Sequence, residues 1–267
     1  YTQNHGITFE PIFDGYGSYS IGCVTLAPSN PNTVWVGSGE NNNQRSVSYG
    51  DGVYKSVDGG KSFTNMGLKN SEHIGEIIVH PTNENIIWVA AYGPLWSSGG
   101  ERGVYKSTDG GKTWKNTLFV DNGTGCNDLS IDPNNALIMY ASMWEHNRSP
   151  WKVTSGGPGS GLYKSVDGGD SWFKIHKGLP DGKGKMGISV SGANSDVVYA
   201  LIEGDTEKEE GGLFVSRNAG ANWSKISSDH RLVQRAWYYI EVFADPNDEH
   251  TVYVLGPPAL RSIDGGK

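Results

Sequence analysis

Short apolar runs separated by clusters of Gly, Asn, Asp and Pro recur along the whole chain, and no stretch returns its apolar positions at a helical period. One kind of run ends at or near proline: 22–27 before Pro28, 75–80 before Pro81, 127–132 before Pro133 and 240–245 before Pro246. An Asn-rich turn follows, and then a β-branched and aromatic run at 33–36, 86–89, 137–140, 197–200 and 251–254. A third run opens on glycine, as in Gly52-Val53-Tyr54-Lys55, Gly103-Val104-Tyr105-Lys106, Gly161-Leu162-Tyr163-Lys164 and Gly212-Leu213-Phe214-Val215. A fourth follows a tight turn, at 9–13, 114–120 and 172–176. The order predicts antiparallel units of four strands. Near-continuous apolar runs fit strands covered on both faces by neighbouring units.

The turn between third and fourth strands is a repeat. Ser107-Thr108-Asp109-Gly110-Gly111-Lys112-Thr113-Trp114 returns at 56–63 and 165–172, more loosely at 216–223, as a skeleton at 2–9, and at 262–267 without its aromatic residue. Successive starts at 2, 56, 107, 165, 216 and 262 lie about one four-stranded propeller blade apart. The fold expected is therefore all-β, a β-propeller of four-stranded antiparallel blades joined by these hairpins. It is expected to be an incomplete segment of about five blades of a larger propeller. The repeat units are 14–68, 69–121, 122–180, 181–230 and 231–267 of one domain, with residues 1–13 as the outer strand of a preceding blade. Asp58, Asp109, Asp167, Asn218 and Asp264 are expected to be structural, because a turn carboxylate or amide takes hydrogen bonds from its own backbone while glycine supplies positive φ.

These residues resemble the Asp-box, or BNR, repeat, whose pattern is Ser-x-Asp-x-Gly-x-Thr-Trp. The repeat occurs in sialidases, in xyloglucanase-type glycoside hydrolases and in the ten-bladed propeller of sortilin-like receptors. In texture the chain is similar to large secreted bacterial propeller proteins labelled sortilin-like or glycosyl hydrolase. The resemblance implies a propeller and a secreted, periplasmic or cell-surface location; it implies no reaction. A sialidase needs an arginine triad and a Tyr nucleophile with a carboxylate neighbour, and its usual Phe-Arg-Ile-Pro start is absent here.

Charge narrows the partners. A net charge of −7, with no basic stripe, argues against nucleic acid, and no apolar run is long enough for a spanning helix. Cys23 and Cys126 fall on inner strands of different units and are expected to be free, buried thiols. Three Asn-x-Ser/Thr acceptor patterns, starting at Asn122, Asn147 and Asn222, matter only in a eukaryotic secretory protein. No cofactor is expected, and no metal, since no tight ligand spacing is present.

Candidate chemistry lies in the connections between second and third strands, at 37–51, 92–102, 143–160 and 203–211, which are long enough to suggest function. They carry Arg45, Tyr92, Trp96, Arg102, Trp144, Arg148 and Trp151, a mixture that stacks on sugar rings or anchors a polypeptide partner. Five carboxylates are candidate catalysts. Glu40 and Glu145 follow second strands, where the resemblance to xyloglucanases puts a catalytic acid. Cys23, Glu76, Asp128 and Glu241 share the position five residues before the inner-strand proline, so three carboxylates are expected to face the channel. The leading expectation is a glycan- or polypeptide-binding propeller acting through its long-loop face. The alternatives are a glycoside hydrolase using channel-mouth carboxylates, and an architectural propeller within a larger assembly.

Overall fold

The computed structural model describes residues 1–204, 208 and 210–267. Five antiparallel sheets follow in chain order as the blades of a partial propeller. Blade 1 comprises β1 (Ile21–Ala27), β2 (Asn30–Ser38), β3 (Val53–Ser56) and β4 (Thr64–Asn65). Blade 2 holds β5 (Ile74–Val79), β6 (Ile87–Ala91), β7 (Gly103–Ser107) and β8 (Lys115–Leu118). Blade 3 is β9 (Thr124–Asp132), β10 (Asn135–Arg148), β12 (Gly161–Ser165) and β13 (Phe173–Ile175), with β11 (Val153–Ser155) paired to the far end of β10. Blade 4 runs β14 (Lys183–Val190), β15 (Val198–Gly204), β16 (Gly212–Ser216) and β17 (Ser224–Ser227). Blade 5 is three-stranded: β18 (Glu241–Ala244), β19 (Val252–Leu255) and β20 (Leu260–Ser262). The first strand of each blade faces the axis.

The apolar core is divided by blade interface. One cluster joins blades 1 and 2 around Trp35, Ile77 and Val89, and others join blades 2 and 3, 3 and 4, and 4 and 5. Ile77, Leu129, Ile188 and Val242 occupy corresponding inner-strand positions and are nearly inaccessible, each beneath the preceding blade. Their counterpart in blade 1, Val24, is 61% exposed. Side chains also stitch one inner strand to the next. Thr25 donates to the Ile77 carbonyl, Ser130 accepts from Val190 N, and Ser189 accepts from Ala244 N. An inner strand pairs with only one neighbour of its own sheet, so these bonds satisfy backbone groups that the ladder leaves open.

Each Asp-box turn closes on the same bonds. In blade 2, Ser107 Oγ donates to Asp109 Oδ1 at 2.8 Å and accepts from Gly111 N at 2.9 Å, while Asp109 accepts from Thr113 N and Oγ1. Asp58 and Asp167 repeat the set, Asn218 and Asp264 repeat most of it, and these bonds hold the Asp109 carboxyl down at about 2. Consecutive positive φ values at Gly110/Gly111 (76° and 88°) are what the turn requires, and Ala219 (53°) adopts the first of them without being glycine.

Residues 1–20 depart from the expected outer strand. No strand forms at 9–13, and among the described residues no third strand lies beside that stretch to pair with it. The degenerate motif at 2–9 nevertheless folds as an Asp-box turn: Thr2 Oγ1 donates to Asn4 Oδ1 and accepts from Gly6 N, and Asn4 Oδ1 accepts from Thr8 N. Phe13 and Tyr16 then pack on Tyr54 and Phe63, covering part of blade 1.

Candidate functional site

All five inner strands line one axial cavity of about 250 Å³. Cys23, Glu76, Asp128 and Glu241 face it together, with Tyr92, Asn41 and Lys185 toward the long-loop end. Burial pushes the Glu76 carboxyl up to about 7, its bond from Ile77 N opposing and the Glu241 charge adding. Asp128 lies well above the usual carboxylate range, through burial first and then the charges of Glu76 and Glu241, although Ile188 N donates to it at 2.8 Å. Burial likewise raises the Cys23 thiol, with Glu76 adding. Both cysteines are free.

Lys185 is the cationic member of this site and was not foreseen. Its Nζ donates to the Asn41 carbonyl at 2.8 Å and lies over the rings of Tyr92 and Trp144, and burial lowers it to about 8. The signal was present in the alternation of β14: Gly187 is the blade 4 counterpart of Asp128, and Lys185 lies two residues earlier on the same face. Blade 4 lacks the proline that aligns the other inner strands, and so the match was missed. Glu203 beside it accepts from Ser155 Oγ and Lys185 N, with its carboxyl raised by burial.

The long-loop residues divide into buried and exposed. The 143–160 stretch is not a loop at its start: β10 continues to Arg148, turns at 149–152, and returns as β11. Trp144, His146 and Arg148 are therefore buried, and the less buried Glu145 alternates with them. Period two in these residues could have revealed the strand. Arg102, expected on a binding surface, is instead 1% exposed and donates to the carbonyls of Tyr92, Pro94, Ser97 and Gly99. It has tied down its own loop, so it is corrected to a structural residue. Tyr92 and Trp144 are also buried, packed edge to face at 5.7 Å, and Tyr92 OH donates to the Asn41 carbonyl.

Trp96, Trp151 and Arg45 are on the surface. Trp151 sits at the tip of the 149–152 turn, 84% exposed, and the hairpin is fastened beside Trp96 because Arg148 N donates to the Leu95 carbonyl at 2.8 Å. Of the acids after second strands, Glu40 accepts from Ser48 N and Asn42 Nδ2, and Glu145 accepts from Gly159 N at 2.9 Å. Both hold their own loops, and neither lines the cavity. The middle of the 203–211 connection lies outside the described residues. Among the described residues no group of three or more His, Cys, Asp or Glu side chains has the arrangement of a metal site, and no helix is long and apolar enough to cross a membrane.

The turns, the blades and the axial cavity are those of a β-propeller with Asp-box hairpins. A family model described as "Sortilin, neurotensin receptor 3" (Sortilin-Vps10) matches residues 51–183. The chain is 26% identical over 295 residues to a probable oligoxyloglucan-reducing end-specific xyloglucanase of Neosartorya fischeri, covering 91% of this chain and 33% of that protein. Its fold is similar to an ancestral GH74 enzyme (TM-score 0.66, 22% identity, 91% of this chain and 28% of that one). It is also similar to the GH74 xyloglucanase of Xanthomonas campestris (TM-score 0.66, 16% identity, 91% and 36%). The chain thus spans about a third of the length of the relatives it matches.

Proposed function

We propose that this propeller binds glycans through its long-loop face. The observation that carries the reading is the pair of indoles at Trp96 and Trp151, the second 84% exposed on a two-residue hairpin turn. A large aromatic held out in water by a backbone-bonded turn is a ready stacking platform, and its rigidity lowers the entropy lost on binding. Similarity to xyloglucan-acting enzymes supports a polysaccharide over a polypeptide ligand. Affinity electrophoresis of the chain in gels containing xyloglucan and other plant polysaccharides tests this. Trp151→Ala and Trp96→Ala should each weaken retention roughly tenfold; retention unchanged in both would refute the assignment.

A second reading is hydrolysis at the axial cavity, favoured by burial, which raises Glu76 to about 7, so that a share of it keeps its proton near neutral pH as a general acid requires. Glu241, on the same cavity and exposed, is the matching second carboxylate. Glu40 and Glu145 are less suited, since they do not line the cavity and their oxygens hold backbone groups of their own loops. Reducing-sugar release lost in both Glu76→Gln and Glu241→Gln, with binding retained, would select this reading.

A further inference from the structure

The long-loop face carries three arginines, and they are treated differently. Arg102 spends its guanidinium on four main-chain carbonyls. Arg148 is 8% exposed, yet its buried Nε has no hydrogen-bond partner, and among the described residues no carboxylate pairs with it. Arg45, exposed, likewise has no ion pair among the described residues, and its positive charge acts on Arg148 rather than being offset by an acid. A buried guanidinium Nε–H without an acceptor is costly, and more so beside a second cation. In a chain of net charge −7 carboxylates are plentiful, yet among the described residues none forms an ion pair with either arginine. Arg148 stands at the base of the hairpin that presents Trp151, near enough to Arg45 to feel its charge, and Arg148 N is bonded to the residue preceding Trp96.

We propose that Arg45 and Arg148, bracketed by Trp96 and Trp151, form a subsite for the carboxylate of an acidic sugar, so that the ligand is a uronic-acid-containing glycan. This rests on the glycan-binding reading above and specifies its ligand. The guanidinium fork matches a planar carboxylate, and the flanking indoles supply the faces on which pyranose rings stack.

The experiment compares three probes on the 267-residue chain by calorimetry: galacturonate oligomers, their methyl esters, and neutral xyloglucan oligosaccharides. The acid form should bind at least tenfold more tightly than the ester, and the advantage should shrink as salt rises. Arg45→Ala and Arg148→Gln should each remove most of that advantage while leaving ester binding in place, and Trp151→Ala should weaken acid and ester alike. Arg45 is on the surface, so its variant keeps the test valid if Arg148→Gln lowers the melting temperature. Equal binding of acid and ester, an acid preference that survives Arg45→Ala, or a sulfated polymer bound as tightly overturns the carboxylate subsite. Binding of neutral oligosaccharide alone sinks this inference and leaves the broader reading standing; no binding of any glycan defeats both.

Discussion

Two adjacent glycines in the blade 3 Asp box separate what the turn needs from what the neighbouring blade needs. Gly168 and Gly169 both have positive φ, 71° and 78°, so an alanine at either is strained by about 1–2 kcal/mol. A Cβ on Gly168 would meet nothing nearer than Leu137 Cδ2 at 3.6 Å. One on Gly169 would lie 2.7 Å from Nε1 of Trp88, a blade 2 side chain that is 1% exposed and cannot retreat, because the same Nε1 donates to the Gly168 carbonyl at 2.9 Å. Forcing extra volume into such a contact costs a further ~1–3 kcal/mol. Gly168→Ala should therefore lose about 1–2 kcal/mol and Gly169→Ala about 2–5 kcal/mol. Urea unfolding followed by far-ultraviolet circular dichroism measures both, provided the m-values agree. In a Trp88→Leu background the extra loss at Gly169 should largely vanish, since the cycle isolates the contact. Equal losses at the two glycines would show that the second glycine serves only the turn, and the blade-locking argument would fail.

Other outcomes follow from the same geometry. Ala219→Gly, at the blade 4 turn where an L-residue holds the first positive φ, should stabilise by about 1 kcal/mol in thermal or urea unfolding. Because the folded pKa of Glu76 is raised to about 7, its contribution to stability is fully present below about 4.5 and is lost as pH rises through 7. Glu76→Gln should thus be more stable than the parent at pH 8 by on the order of 2–3 kcal/mol, and the stability difference should change sign or vanish near pH 4. Lys185 keeps out of this window, since its own lowered value of about 8 makes stability rise with pH only above neutrality. A flat difference between the two proteins across pH 4–8 would remove the buried acid from the account.

The Asp box was legible because each of its residues does a local job, bonding within a few positions of itself. That is why the degenerate copy at 2–9 folds as a turn even where the strands expected around it do not form. The ring of Cys23, Glu76, Asp128 and Glu241 was legible because proline marks the end of the inner strand and period two does the rest. What was hidden depends on distant partners. Nothing in the sequence near Arg102 says that four carbonyls of its own loop will surround it, and the burial of Tyr92 depends on Asn41 in the preceding blade. The stretch from Trp144 to Arg148 was read as a loop for a different reason: a strand that outruns its blade looks, from its length and polar content, like a loop.

The contact between blades has a direction. Trp88 donates to the Asp box of the blade after its own, Tyr140 donates to Ala219 of the next, and Lys55 and Lys164 reach forward to Gly110 and Ala219 in the same way. Every such blade carries a hook on one side and an eye on the other, and the hook fits any eye of the same pattern. A unit copied whole would arrive with both halves, so a propeller of this kind can gain or lose blades by tandem duplication without inventing a new interface. Nothing in the fastening counts how many there are.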